Sequence, residues 1–126
     1  MPNIDELFKK ITQPDGSLFN YLKKFHDFES IEFIISLRSS NNPDEEDGIW
    51  HDDGSRLMAF SLSLTNSPPK RGGHLSFRKK ESSIEDQIPT PDYGNIIIFL
   101  TGTYGFEHKT NAVLDGERLI IAGWCS

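Results

Sequence analysis

Between Leu57 and Thr65 the chain alternates large and small side chains with a period of two. Met58, Phe60, Leu62 and Leu64 fall on one side of an extended segment, and Leu57, Ala59, Ser61 and Ser63 on the other. The first face is greasy and needs a cover. The second is small and partly polar, and leaves room for a cavity. The final segment, Glu117 to Cys125, repeats the period with Arg118, Ile120, Ala122 and Trp124 on one face. Burying an arginine on such a strand costs free energy unless an anion pairs with it. Further strand-like runs are Ile31–Leu37, Gly73–Arg78, Asn95–Leu100 and Glu107–Asn111. They are separated by a polar, acidic loop from Ser39 to Gly48, by Asn66-Ser67-Pro68-Pro69, by a charged loop from Lys79 to Asp92, and by a turn from Gly102 to Gly105. Short strands spaced by turn residues predict an all-β sandwich or jelly roll.

The first thirty residues read differently. Ile4, Leu7, Phe8 and Ile11 recur at helical spacing, and Pro14-Asp15-Gly16 ends that helix. Ser17 is placed to cap a second helix with Leu18, Tyr21, Leu22 and Phe25 facing inward. Neither helix is long enough to hold alone, so both are predicted to lie on the greasy face of the larger sheet. The expected organisation is one domain over 1–126, with helical support in 1–30 and a jelly-roll core in 31–126.

Composition narrows the partners. Nine phenylalanines and 36% hydrophobic residues favour a folded globule. No apolar run is long enough for a membrane span, and the start carries neither the basic nor the apolar region of a signal peptide. A single cysteine, Cys125, excludes an internal disulfide and fits a cytoplasmic location. A net charge of -6 disfavours nucleic acid as a partner.

The chemistry concentrates in His51-Asp52-Asp53, His108 and Arg118. Two histidines and one carboxylate can grip an Fe(II) ion on one face and leave its other positions open. An arginine nearby can hold an acidic co-substrate, because its planar fork matches a carboxylate. His51 and Asp53 share a face if the chain is extended there. A lone His-x-Asp is weak evidence, since Asp52-Asp53-Gly54 also reads as a solvated turn. The reading gains from His108 in a separate strand-like segment, from Arg118 ten residues further on, and from Gly72-Gly73-His74-Leu75-Ser76-Phe77 midway between.

With these residues the segment from Ile49 onward resembles the 2-oxoglutarate/Fe(II)-dependent dioxygenases, in particular the prolyl-hydroxylase-like group. The resemblance implies a double-stranded β-helix and a metal triad of His51, Asp53 and His108. Arg118 matches the residue that pairs with the distal carboxylate of 2-oxoglutarate, and Leu75 and Trp124 match positions lining the co-substrate pocket. Ser63 stands where many relatives place a co-substrate-binding tyrosine. The implied cofactors are Fe(II), 2-oxoglutarate and O2, with ascorbate as a reductant. The implied reaction is hydroxylation of a small-molecule or protein/peptide substrate, with release of succinate and CO2. Relatives usually carry more residues before His-x-Asp, which leaves the pocket either open or completed by a second protomer in a homodimer. Two other classes compete: a cupin-like metalloprotein with a different reaction, which has no use for the Arg118 clamp, and a non-catalytic jelly-roll binding module.

Of the remaining candidates, His74 is expected to face outward, His26 to lie on the surface and Cys125 to pack. Lys70-Arg71 and Arg78-Lys79-Lys80 read as solvated loop ends. The Ser39–Gly48 loop is expected to form a mobile flap at the pocket mouth.

Overall fold

A computed structural model describes residues 3–103 and 105–126. The reading of Met1-Pro2, and Tyr104 within the expected turn, lie outside the described residues. Among the described residues two short helices, α1 (Ile4–Ile11) and α2 (Ser17–Leu22), precede nine strands. These are β1 (Ile31–Ser39), β2 (Met58–Ser63), β3 (Arg71–Gly72), β4 (Leu75–Arg78), β5 (Glu85–Ile88), β6 (Ile96–Leu100), β7 (Glu107–Thr110), β8 (Val113–Asp115) and β9 (Glu117–Cys125). The larger sheet runs β1-β9-β2-β6, a smaller one β5-β4-β7, and β3 pairs with β8. Every named pairing is antiparallel. This is the double-stranded β-helix, with two facing sheets.

The alternation in β2 decides what each sheet face does. Met58 and Phe60 join Ile121 and Cys125 of β9 and Phe8, Phe19, Leu22 and Phe28 of the helical segment in one buried cluster. The Phe8 and Phe33 rings lie 5.8 Å apart, fixing α1 on β1. Ala59 and Ser61, on the other face, line a cavity between the sheets. Gly123 lets the two strands pack: a Cβ there would lie 2.1 Å from the Phe60 ring. No helix among the described residues is long and apolar enough to cross a membrane.

Four local expectations are corrected. Asn3 caps α1 by accepting from Asp5 N at 2.9 Å. Ser17, by contrast, is the first residue of α2 and not its cap, which is Gly16. The inward face of the second helical segment is Phe19 and Leu22, with Phe28 beyond, whereas Tyr21 and Phe25 are exposed. The six-residue α2 is too short to present a full stripe, so the aromatic that follows the turn does the covering. The charged loop after Arg78 contains a strand, β5, whose exposed residues hydrogen-bond along β4 without burying a face. Gly73 and His74 lie outside the strands, and both Gly72 and Gly73 have φ of 74°, a backbone state that favours glycine.

Candidate metal centre

His51 and His108 are held by reciprocal backbone hydrogen bonds, His51 N to His108 O at 3.1 Å and His108 N to His51 O at 2.9 Å. This bridge adds the His51 segment to β7 as an extra edge of the smaller sheet. The chain does not continue extended to Asp53, so His51 and Asp53 converge by a geometry other than the shared face expected of His-x-Asp. Asp53 has φ of 67°, in the left-handed region that aspartate tolerates better than most residues. Asp52 stabilises the turn by accepting from Gly54 N at 2.9 Å. The turn folds the Asp53 carboxylate back between the imidazoles: Oδ1 lies 3.3 Å from His51 Nε2, and Oδ2 lies 3.2 Å from His108 Nε2.

The three side chains offer two imidazole nitrogens and one carboxylate oxygen within 4.8 Å of one another. That donor set, with neutral imidazoles and an ionised carboxylate, fits a hard-to-borderline divalent ion such as Fe(II). The surroundings prepare it. His51 Nδ1 lies 2.7 Å from the Ile49 carbonyl, so Nδ1 carries the proton and Nε2 presents its lone pair to the centre. The Thr101 hydroxyl lies 2.8 Å from Asp53 Oδ2 and 2.9 Å from the Asp52 carbonyl. Asp52 itself turns away and is taken by Lys80, which keeps it from competing as a ligand. The Phe99 ring packs edge-on to His108 with centroids 4.8 Å apart.

The protonation tendencies differ across the trio. A hydrogen bond to Asp53 raises the pKa of His51 above its ordinary value, outweighing partial burial. Burial lowers that of His108, which favours its neutral, ligating form. Burial would raise the Asp53 carboxyl, but hydrogen bonds from His51 and Thr101 outweigh it and hold the group below the usual range.

Arg118 lies on the cavity face of β9 and is only 4% exposed. Among the described residues its guanidinium makes one long hydrogen bond, 3.5 Å from Nη2 to Ser61 Oγ, and Nε has no partner. Burial, with Arg38 nearby, lowers its pKa to about 10. A buried cation with unused donors beside a cavity is a seat for an anion. The cavity measures about 110 Å3 and is lined by His51 and His108 together with Leu75, Arg118 and Trp124. Drug-sized sites span roughly 300–1,000 Å3, so this space suits a small co-substrate.

The structure brings together six of the seven expected site residues. Ser63 does not line the cavity; it is fully buried and accepts from Thr65 N at 3.2 Å. Ser61, one pleat away, is the serine that reaches Arg118. His74 is absent from the metal cluster, and its half-buried ring leaves Nε2 without a partner. Cys125 is fully buried, and burial pushes its thiol up to about 12, as a packing residue should behave. The Ser39–Gly48 loop differs from a free flap. Glu45 pairs with Arg38 at 2.8 Å and accepts from Val113 N at 3.1 Å, Asp47 accepts from Ala112 N at 2.7 Å, and Gly48 N donates to Thr110 O at 2.8 Å.

Sequence reasoning missed Thr101, Ser61 and Arg38. Arg38 stands directly opposite Arg118 in the β1–β9 register. Its signal was the period of two in β1, which places Glu32, Ile34, Ser36 and Arg38 on one face. Thr101 offered no such signal, because its value depends on a turn forty-eight residues away.

A family model described as the 2OG-Fe(II) oxygenase superfamily matches residues 20–126. The chain belongs to that superfamily. Among curated proteins it is 32% identical over 116 residues to a PKHD-type hydroxylase of Prochlorococcus marinus strain MIT 9515, covering 92% of this chain and 48% of that protein. The chain therefore spans about half the length of the curated relatives it matches. Among solved structures it resembles a Pseudomonas putida prolyl-4-hydroxylase with a TM-score of 0.60 and 23% identity, covering 89% of this chain and 61% of that one. It also resembles a Trichoplax adhaerens prolyl hydroxylase solved with a hypoxia inducible factor peptide fragment, with a TM-score of 0.60 and 15% identity over 86% of this chain and 53% of that one. At these identities the structural likenesses establish the fold.

Proposed function

We propose that the chain is one catalytic domain of a 2-oxoglutarate- and Fe(II)-dependent hydroxylase. The observation that carries this reading is the His51–Asp53–His108 cluster beside a buried Arg118 whose Nε has no protein partner among the described residues, on one cavity wall. His51, Asp53 and His108 would hold Fe(II). Arg118, with Ser61, would hold the distal carboxylate of 2-oxoglutarate, and Leu75 and Trp124 would flank its carbon chain. When bound, the iron with 2-oxoglutarate and O2 supplies oxidation of a C–H bond, releasing succinate and CO2, with ascorbate able to keep the metal reduced.

The chain's own contribution is binding and orientation. Ile49 fixes the His51 tautomer. Thr101 holds Asp53 so that a carboxylate oxygen faces the metal position. Leu75, Phe99 and Ala122 exclude water from the cavity and leave Arg118 to meet the co-substrate in a low-dielectric setting, where a charge pair is stronger. A cupin-like site with another reaction would gain nothing from a buried cation here.

The substrate reading is a small molecule or a protein/peptide; the peptide complex of the Trichoplax relative supports the second without choosing it. The lone buried thiol suits a reducing compartment such as the cytoplasm. The test is anaerobic addition of Fe(II) and then 2-oxoglutarate to the protein. A visible charge-transfer band that appears only with both, followed by succinate release in air, is the expected result. Iron binding with no response to 2-oxoglutarate would move the assignment to the cupin-like class.

A further inference from the structure

We propose that strand β1 pairs edge to edge with β1 of a second copy of this chain, antiparallel, about a two-fold axis through Ile35. The inference goes beyond the oxygenase reading and does not depend on it. Among the described residues β1 is the outermost strand of the larger sheet and pairs only with β9. Its nine residues keep one unbroken register with β9 from Ile31 to Ser39. It therefore carries no bulge, and its sequence holds no proline, glycine or lysine. Bulges, prolines and lysines are devices that keep an edge from pairing, and the two charges of β1, Glu32 and Arg38, are of opposite sign. Three of its apolar side chains stand open: Ile34 is 52% exposed, Ile35 42% and Leu37 61%.

The hydrogen-bond parity of the strand identifies which backbone groups are free. Ser30 and Ser126, next in the same register, exchange both bonds, Ser30 N to Ser126 O and Ser126 N to Ser30 O, each 3.0 Å. Ser40 N likewise donates to Gly116 O at 3.0 Å. The even-numbered residues therefore bond to β9, and the N–H and C=O groups of Ile31, Phe33, Ile35 and Leu37 point away from it. Among the described residues these groups have no backbone partner beyond β9.

A two-fold axis at Ile35 satisfies that parity, because it makes Ile35 and its copy a hydrogen-bonded pair. The same axis sets Phe33 opposite Leu37 and Glu32 opposite Arg38, each twice by symmetry. The charges match. Glu32 is held only loosely, 3.6 Å from Arg56 with its side chain 62% exposed, while Arg38 is already fixed by Glu45. Pairing would join Arg56, Glu32, the copy's Arg38 and its Glu45 in one alternating row. Shifting the axis by one residue keeps the parity but sets Glu32 opposite Ser36 or Ser40, so the charge match is what selects Ile35.

The test is the mass in solution of the 126-residue chain by light scattering across a concentration series. A two-chain particle is expected. Ile35→Pro should give a single chain with an unchanged circular-dichroism spectrum, because the N–H it deletes points away from β9, where an edge strand tolerates proline. Glu32→Arg sets like charges opposite one another and should raise the dimer dissociation constant roughly tenfold. Ile35→Cys should form an interchain disulfide under mild oxidation, since Cα atoms of such a pair lie about 5.5 Å apart, within disulfide reach. The only native thiol, Cys125, is buried and leaves a low background. A wild type that stays single at every concentration overturns the proposal. So does a folded Ile35→Pro protein that still dimerises, or a dimer whose Ile35→Cys variant does not cross-link.

Discussion

Individual side chains at the centre have separable duties, and single substitutions should separate them. His108 is a proposed ligand, so His108→Ala should lower Fe(II) or Mn(II) affinity by orders of magnitude while the fold persists; isothermal titration measures it. If His74→Ala abolished binding and His108→Ala did not, the ligand set would be wrong. Thr101 touches Asp53 without being a ligand. Thr101→Val should cost about 10–100-fold in metal affinity, the usual effect of losing a group that orients a ligand. Arg118 is the reverse case. Arg118→Ala should leave metal affinity nearly unchanged and weaken 2-oxoglutarate at least about tenfold, because a hydrogen bond to a charged group contributes roughly 1.5–3 kcal/mol. Arg118→Lys should be intermediate. Unchanged co-substrate affinity in Arg118→Ala would remove the clamp from the scheme. Acid should also oppose the metal. Protonated His51 is favoured by Asp53, so its pKa lies above the ordinary histidine value, and metal must displace that proton. Affinity should fall as pH drops through the raised His51 pKa, by about tenfold per pH unit for one displaced proton.

At the scale of elements, β2 and β9 carry both the core and the cavity on opposite faces, so damage to one face should spare the other in kind. The Phe60 ring sits where a Gly123 side chain would be. Gly123→Ala should destabilise by about 1–3 kcal/mol through overpacking, read by urea unfolding. The cost should shrink in a Phe60→Leu background, because the two positions share one space. Additive losses would show that the clash is relieved elsewhere. The 39–48 segment is an element whose sequence misleads. Its acidic residues look solvated, yet the Glu45 side chain is only 8% exposed and binds both Arg38 and the backbone of β8. A carboxylate's burial depends on partners far along the chain, which local composition does not record.

For the whole molecule, the triad is held by backbone pairing and a turn of the fold, so metal should stabilise the fold by linkage. A hundredfold excess of Mn(II) over its dissociation constant should add about 2.7 kcal/mol, visible as a raised melting temperature. His108→Ala should abolish that rise. A rise that survived in this variant would place the ion elsewhere.

The sequence by itself determined the β class and the role of each face of β2 and β9, which follow from a local period of two. It also named His51, Asp53, His108 and Arg118 as candidates, from side-chain chemistry and a family resemblance and not from local geometry. It marked the break between the two helices as well, since Pro14-Asp15-Gly16 acts within one turn of chain. Only the tertiary structure decided that Asp53 reaches the imidazoles through a left-handed turn and not along a strand. It likewise chose Ser61 over Ser63, placed Thr101 on Asp53 and set Arg38 opposite Arg118. Each of these depends on the register between strands distant in sequence, and a shift of one residue would reverse every face. Register is fixed by the packing of the whole sandwich, so no local window of the chain contains it.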